Sequence, residues 1–168
     1  MDLVIERRPY GDAAVQELVD AVQAEYVVRY GGPDEARVDP ADFEPPRGEF
    51  LIGLLDGVPV AMGGWRLVDT AQAEIKRMYV ARAARRLGLS RLMLARIEAC
   101  AAAAGVRRLV LNTGLEQPEA IALYETSGYE RIDGFGHYAD APAAVFYGKE
   151  LVVAVSPADR TGEAVSPG

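Results

Sequence analysis

The sequence contains a single cysteine and a single histidine, Cys100 and His137, in 168 residues. One thiol excludes a disulfide within the chain and a cysteine-based zinc site, and one imidazole excludes a multi-histidine metal centre; no metal is expected. A Ser/His/Asp triad survives only if His137 is its base. Long apolar runs are missing too, since charge interrupts each of them well short of the roughly 18 residues a membrane-spanning helix needs. The start, MDLVIERRPY, lacks a basic segment followed by an apolar stretch. A cytoplasmic protein without a membrane partner is therefore expected. The net charge of −7 disfavours wrapping a nucleic-acid backbone, so no nucleic-acid partner is expected either.

What is present suffices for one core: half of the chain is hydrophobic. A single domain is expected over residues 1–153. The stretch 154–168 has little to bury and is expected to be a flexible tail. Residues 3–8 predict a strand, and Val15, Val19, Val22 and Tyr26 recur at helical spacing behind Asp12, a plausible N-cap. Residues 31–48, with four prolines and many acids, predict a loop or short helical turns. Two strands joined at Asp56-Gly57 follow, since that dipeptide between apolar runs suits a tight hairpin. Residues 73–80 read as another strand. Leu87 to Ala104 is the strongest predicted helix, with Leu89, Leu92, Met93, Ile97 and Cys100 as its apolar stripe and Gly105 as its stop. Strands are predicted at 107–112, about 129–133 and 144–151, with a short helix from Pro118 to the glycine at 128. The alternation describes an α+β or α/β domain on one central sheet.

Residues 76–96 hold seven of the eighteen Lys and Arg and no acid. Part of this charge falls where a helix begins. A helix start exposes unpaired N–H groups and carries about half a positive charge, so added cations are unfavourable there unless an anion is present. Arg85, Arg86 and Arg91 with the amides of Leu87 to Arg91 therefore point to a phosphate or pyrophosphate, which Gly88 lets approach closely. A solvated basic helix face is the alternative. No G-x-x-x-x-G-K-[ST] motif is present, and RRLGLS lacks the three glycines of a dinucleotide fingerprint.

EIKRMYVARAARRLGLSRLMLARIE, followed by LVLNTGLEQPEAIALYETSGYERI, resembles the GNAT superfamily of acetyl-coenzyme A-dependent N-acetyltransferases. The family pattern [Q/R]-x-x-G-x-[G/A] maps onto Arg85, Arg86, Leu87, Gly88, Leu89 and Ser90. Arg86 and Ser90 stand where glycine is common, and Gln117 where many members have asparagine. The resemblance implies a mixed, mostly antiparallel sheet splayed between its fourth and fifth strands and flanked by about four helices, with acetyl-CoA in the gap. It further implies that the backbone of Met78, Tyr79 and Val80 pairs with the pantetheine arm and that the amides of Arg86, Gly88 and Ser90 hold the pyrophosphate. Homodimers are common in the family, though nothing in the sequence marks a seam.

Acyl transfer from a thioester to an amine needs a neutral amine, a polarised carbonyl and a proton for the departing thiolate. By the resemblance, Tyr124 in ALYETSGY is the expected proton donor and Glu74 a candidate base; a core tyrosine and a carboxylate paired with Lys76 or Arg77 are the alternatives. Asn112 is a candidate cofactor contact or a turn asparagine. Residues 34–49 carry six acids against two arginines, with Phe43 among them and Tyr26 and Tyr30 just before. That rim, with His137 in the loop before the last strand, suggests a cationic acceptor: a small amine, an amino acid or an aminoglycoside-like molecule ahead of a protein. Acetyl transfer to a primary amine in a ternary complex is expected, with a non-catalytic acyl-CoA sensor as the alternative.

Overall fold

Asp12 sets the first helix. Its carboxylate accepts the amides of Ala14 and Val15 at 3.0 and 3.3 Å, just after the first strand, β1 (Leu3–Arg7), and just before α1 (Ala13–Tyr30). Gly31, at φ 80°, closes the helix in the left-handed conformation. The computed structural model describes residues 2–152 of the chain. The expected tail at 154–168 lies outside them. Strands β2 (Gly48–Leu55) and β3 (Val58–Leu67) meet at Asp56 and Gly57, both at positive φ as a tight hairpin requires. Then come β4 (Gln72–Val80), α2 (Leu89–Ala103), β5 (Arg108–Gly114), α3 (Pro118–Thr126), β6 (Glu130–Arg131) and β7 (Ala144–Glu150).

The strands form one sheet in the order β1-β2-β3-β4-β5-β7-β6, antiparallel throughout except between β4 and β5. Strand alternation sends residues to two cores on opposite faces. Leu51, Ala61, Trp65 and Ile75 meet α2 and α3, whereas Phe50, Ile52, Met62 and Tyr79 meet α1. Helix α2 buries Leu89, Met93, Leu94, Ile97 and Ala101. Each large side chain among them contributes about 1.5–3 kcal/mol by leaving water.

The predicted elements hold with local corrections. Helix α2 begins two residues later than Leu87, because Gly88 takes a left-handed φ of 77° and cannot continue a helix. Leu92 is 52% exposed, so Leu94 replaces it on the buried stripe. Three α-helices, not about four, flank the sheet among the described residues; three 3₁₀ turns, Pro40–Phe43, Arg82–Ala84 and Gly136–Tyr138, supply the remaining helical backbone. Phe43, expected at a substrate rim, is 3% exposed and packs on Tyr10 and Phe50 with ring centroids 5.3 and 5.2 Å away.

The sheet is incomplete between its middle strands. Strands β4 and β5 pair only at Gln72–Arg108, Ala73–Leu109 and Glu74–Val110. Beyond Glu74 the facing edges diverge, which leaves Ile75 to Val80 on one side and Leu111 to Gly114 on the other without a strand between them. This is the splay expected from the resemblance.

Gly64 lies beneath the aromatic cluster. A Cβ there would stand 2.6 Å from Phe50, 2.8 Å from the Glu49 carbonyl and 3.0 Å from Phe43. Gly64→Ala is expected to destabilise the fold by about 1–3 kcal/mol in urea unfolding, since backbone and ring must both shift.

Candidate active site

A cavity of about 490 Å³ opens at the splay and passes through the sheet. From the α2/α3 face it is lined by Met78, Ala120 and Tyr124, and from the α1 face by Tyr26, Tyr30, Asp34, Lys76 and Arg77. Asn112, Thr113 and Gln117 border it along the β5 side. Tyr30 lies over the end of β5, where a Cβ at Gly114 would collide with its hydroxyl. Arg29 braces the mouth by donating to the Glu116 carbonyl at 2.9 Å and pairing with Glu119 at 2.5 Å, which ties α1 to α3 across the gap.

Tyr124 is 5% exposed and meets Tyr129 edge-on, with the Tyr147 ring tilted beside it. Burial in this apolar wall, helped by nearby Tyr26, holds its pKa well above the usual tyrosine value. Its hydroxyl therefore remains a proton donor.

The β4 edge of the cavity is bent by a bulge. Met62 pairs with Tyr79 and Gly64 with Lys76, so Gly63 alone opposes both Arg77 and Met78. Arg77 absorbs the extra residue at a left-handed φ of 59°. The bulge brings the consecutive side chains Lys76 and Arg77 to one carboxylate, that of Asp34. Arg77 donates to Asp34 Oδ2 at 2.6 Å, while Oδ1 accepts the Tyr138 hydroxyl at 2.7 Å and the Ala36 amide at 2.9 Å. Burial would raise the Asp34 pKa, but Lys76, Tyr138, the Ala36 amide and Arg77 together hold it below the ordinary carboxylate value.

At the other end of β4 the chain turns into the arginine loop. Arg86, at φ 64°, and Gly88, at φ 77°, flank Leu87, and all three are exposed. The first turn of α2 has no side-chain cap and no acid, so its N–H groups remain open to an anion. Space beside Gly88 is open, with no atom within 4 Å of where a Cβ would stand. Arg85 turns away from the helix start: it donates twice to Glu25 at 2.6 and 2.8 Å and to the Val80 carbonyl at 3.0 Å. Arg91 reaches the end of α3, donating to Thr126 Oγ1 at 2.6 Å. Both arginines thus brace the loop, leaving the backbone amides and Arg86 to face an anion.

An open helix start at one end of a strand edge that nothing pairs is a fit for a long molecule with phosphates at one end and amides along its arm. The comparisons with known proteins agree with this geometry. The sequence model of the acetyltransferase (GNAT) family matches residues 15–129. The chain belongs to the GNAT family of acetyltransferases. A relative described as IAA acetyltransferase, from Azospirillum brasilense, is 32% identical over 149 residues, spanning 88% of this chain and 97% of its own. Among solved structures, a protein assigned as an acyl-CoA N-acyltransferase from Klebsiella pneumoniae superposes with a TM-score of 0.76 at 28% identity, covering 89% of this chain and 98% of its own. A GNAT family acetyltransferase from Elizabethkingia anophelis, solved with acetyl-CoA bound, shares the fold with a TM-score of 0.66 at 16% identity, covering 89% and 98%.

GNAT acetyltransferases use acetyl-CoA, and the residues expected to hold it, to act on it or to bind the acceptor fall mainly into two groups. Met78, Asn112, Gln117, Tyr124 and Tyr30 line the cavity together. Tyr79, Val80, Arg85, Arg86, Leu87, Gly88, Leu89, Ser90 and Arg91 form the strand end, loop and helix start that lead away from it. The Leu89 side chain is buried in the core, which leaves only its amide available to an anion, and the Val80 carbonyl is already occupied by Arg85. Glu74 lies outside the cavity lining, paired with Arg66 at 3.3 Å and near Lys76 at 3.9 Å. His137 is exposed and packs against Tyr138, which takes the place in the cavity wall. Asp34, Lys76, Arg77, Tyr26 and Tyr138 form the α1 side; sequence reasoning placed Tyr26 and the acids of 34–49 only at an acceptor rim and gave Lys76, Arg77 and Tyr138 no part in the site. Asp34 and Lys76 stood inside the acidic and basic concentrations, the one signal that could have found them.

Arg86 holds a conformation that suits glycine, the residue the family pattern commonly has there. Arg86→Gly is expected to raise unfolding free energy by up to about 1 kcal/mol by removing left-handed strain. Gly88→Val, which imposes that strain on a β-branched residue, is expected to lower it by about 1–2 kcal/mol, both read by chemical denaturation.

Proposed function

We propose that this GNAT acetyltransferase transfers the acetyl group of acetyl-CoA to the primary amine of a small acceptor by direct attack within a ternary complex. One observation carries the reading: the cavity passes through the sheet at the splay, with Tyr124 on one face and a polar chamber on the other. The chamber is roofed because Tyr138 bonds both Asp34 and the Glu35 amide, the latter at 2.8 Å. Such a roof favours a small acceptor over a protein side chain.

Bound acetyl-CoA supplies a thioester carbonyl for the amine to attack and a sulfur to leave. The open edge of β4 at Met78 and Val80 offers backbone N–H groups to the pantetheine arm and to the charge that develops on the carbonyl oxygen, whereas Tyr79 faces Met62 of β3. The loop amides at Arg86 and Gly88, with those of the first α2 turn, hold the pyrophosphate without side-chain specificity. Tyr124 gives its proton, or a hydrogen bond, to the departing thiolate. Asn112 and Gln117 position the arm from the β5 side, and Gln117 is itself fixed by the Thr113 hydroxyl at 3.0 Å. No buried carboxylate in the cavity is free to take the amine proton, because both oxygens of Asp34 are occupied. Deprotonation is therefore assigned to water, and Glu74 to holding Arg66 and Lys76 in place.

Tyr124→Phe is expected to lower kcat by about 10²-fold or more while coenzyme A affinity by calorimetry stays unchanged. Because burial keeps Tyr124 protonated, the wild-type rate should rise with pH as the amine loses its proton, with no fall below about pH 10. Gly88→Glu places an anion where the pyrophosphate belongs and should abolish coenzyme A binding with the fold retained. Coenzyme A binding without thiol release on any primary amine, polyfunctional amines included, would overturn the enzymatic reading.

A further inference from the structure

The α1 side of the cavity is built on a row of alternating charges. Asp42 and Arg66 lie 3.5 Å apart, Arg66 and Glu74 3.3 Å, Glu74 and Lys76 3.9 Å, Lys76 and Asp34 3.5 Å, and Asp34 and Arg77 2.6 Å. Arg66, Glu74, Asp34 and Arg77 each form at least one hydrogen bond within this row. Lys76 differs. Its side chain is 5% exposed and lines the cavity, yet among the described residues its ammonium stands beside two carboxylates without a hydrogen bond to either. An ammonium carries three donors, and leaving them unmet in a buried setting is unfavourable. Tyr26, on the same wall, likewise keeps its hydroxyl free of a partner, and burial pushes its pKa up to about 12.

The α1 wall of the chamber thus offers the Lys76 and Tyr26 donors, while its buried carboxylate, Asp34, is already engaged. A cationic group entering it finds Asp34 already holding Arg77, Tyr138 and the Ala36 amide. Glu35, the other acid in the wall, is exposed and sits toward solvent. A carboxylate entering the chamber meets the opposite situation, an ammonium at the cavity wall that makes no hydrogen bond among the described residues, and a phenol on the same wall. The acidic rim read from residues 34–49 therefore does not set the polarity of the interior.

We propose that Lys76, assisted by the Tyr26 hydroxyl, binds a carboxylate of the acceptor, so that the acceptor is an amino acid, carrying its amine and its carboxylate on one small skeleton. This rests on the reading that the cavity holds an amine acceptor. Charge-assisted hydrogen bonds of this kind are worth about 10- to 100-fold in affinity.

The test uses the full chain with acetyl-CoA and matched acceptors: amino acids, their amides and the corresponding decarboxylated amines. The expected result is a kcat/KM for the carboxylate-bearing member at least 10-fold above each partner, and a ratio that falls to near one in Lys76→Met. Lys76→Arg should restore part of the preference, which a merely structural role would not predict. Coenzyme A affinity and the melting temperature show that each variant is folded; where Lys76→Met is not, the wild-type ratio and Lys76→Arg decide. Equal or better use of the amides and decarboxylated amines would overturn the proposal, as would a Lys76→Met variant that slows all acceptors alike. Transfer to no amine at all would instead overturn the acetyltransferase reading beneath it.

Discussion

The structure depends on where one parallel strand pair stops. Strands β4 and β5 share three residue pairs and then part, although each remains bonded to its outer neighbour. Backbone N–H and C=O groups left open in a protein interior are unfavourable unless something pairs with them. An edge that the chain itself does not complete is therefore a binding surface by construction. Everything else in the site can be understood as holding that edge apart and furnishing its two ends.

Several contacts maintain the gap. Arg29 links α1 to the start of α3 across the mouth, and Tyr30 rests on the β5 end because Gly114 leaves it room. The β4 bulge bends the other wall and is stabilised by Asp34, which holds the displaced Arg77. Arg85, fastened to Glu25 and to the Val80 carbonyl, anchors the loop that leads from the strand to the helix start. Positive charge at that helix start is thus divided between bracing and binding: Arg85 and Arg91 are held by protein partners, and Arg86 is left exposed.

Much of this was legible in the sequence because its causes are local. The Asp12 cap, the Asp56-Gly57 turn, the stripe of α2 and the glycine stops follow from chemistry within a few residues. The arginine loop and ALYETSGY carried the family resemblance, and with it the splay and Tyr124. The bulge was not legible, since a left-handed Arg77 is explained only by Asp34, 43 residues away. The same separation hid the polarity of the chamber. Acids at 34–49 describe the rim by composition, but folding engages both Asp34 oxygens in hydrogen bonds and leaves Lys76, ion-paired yet without a hydrogen bond among the described residues, on the cavity wall. Phe43 shows the converse: an aromatic in a loop-like segment became core because a short 3₁₀ turn folds it onto Tyr10 and Phe50.

The central claim is that the open β4 edge and the uncapped start of α2 form one continuous cofactor track. Hydrogen–deuterium exchange with and without coenzyme A tests it most directly. The account predicts new protection confined to the amides of residues 76–80 and 86–91, with little change along β1 and β2. Binding that leaves those two segments exchanging as before, or that protects another surface instead, would contradict it.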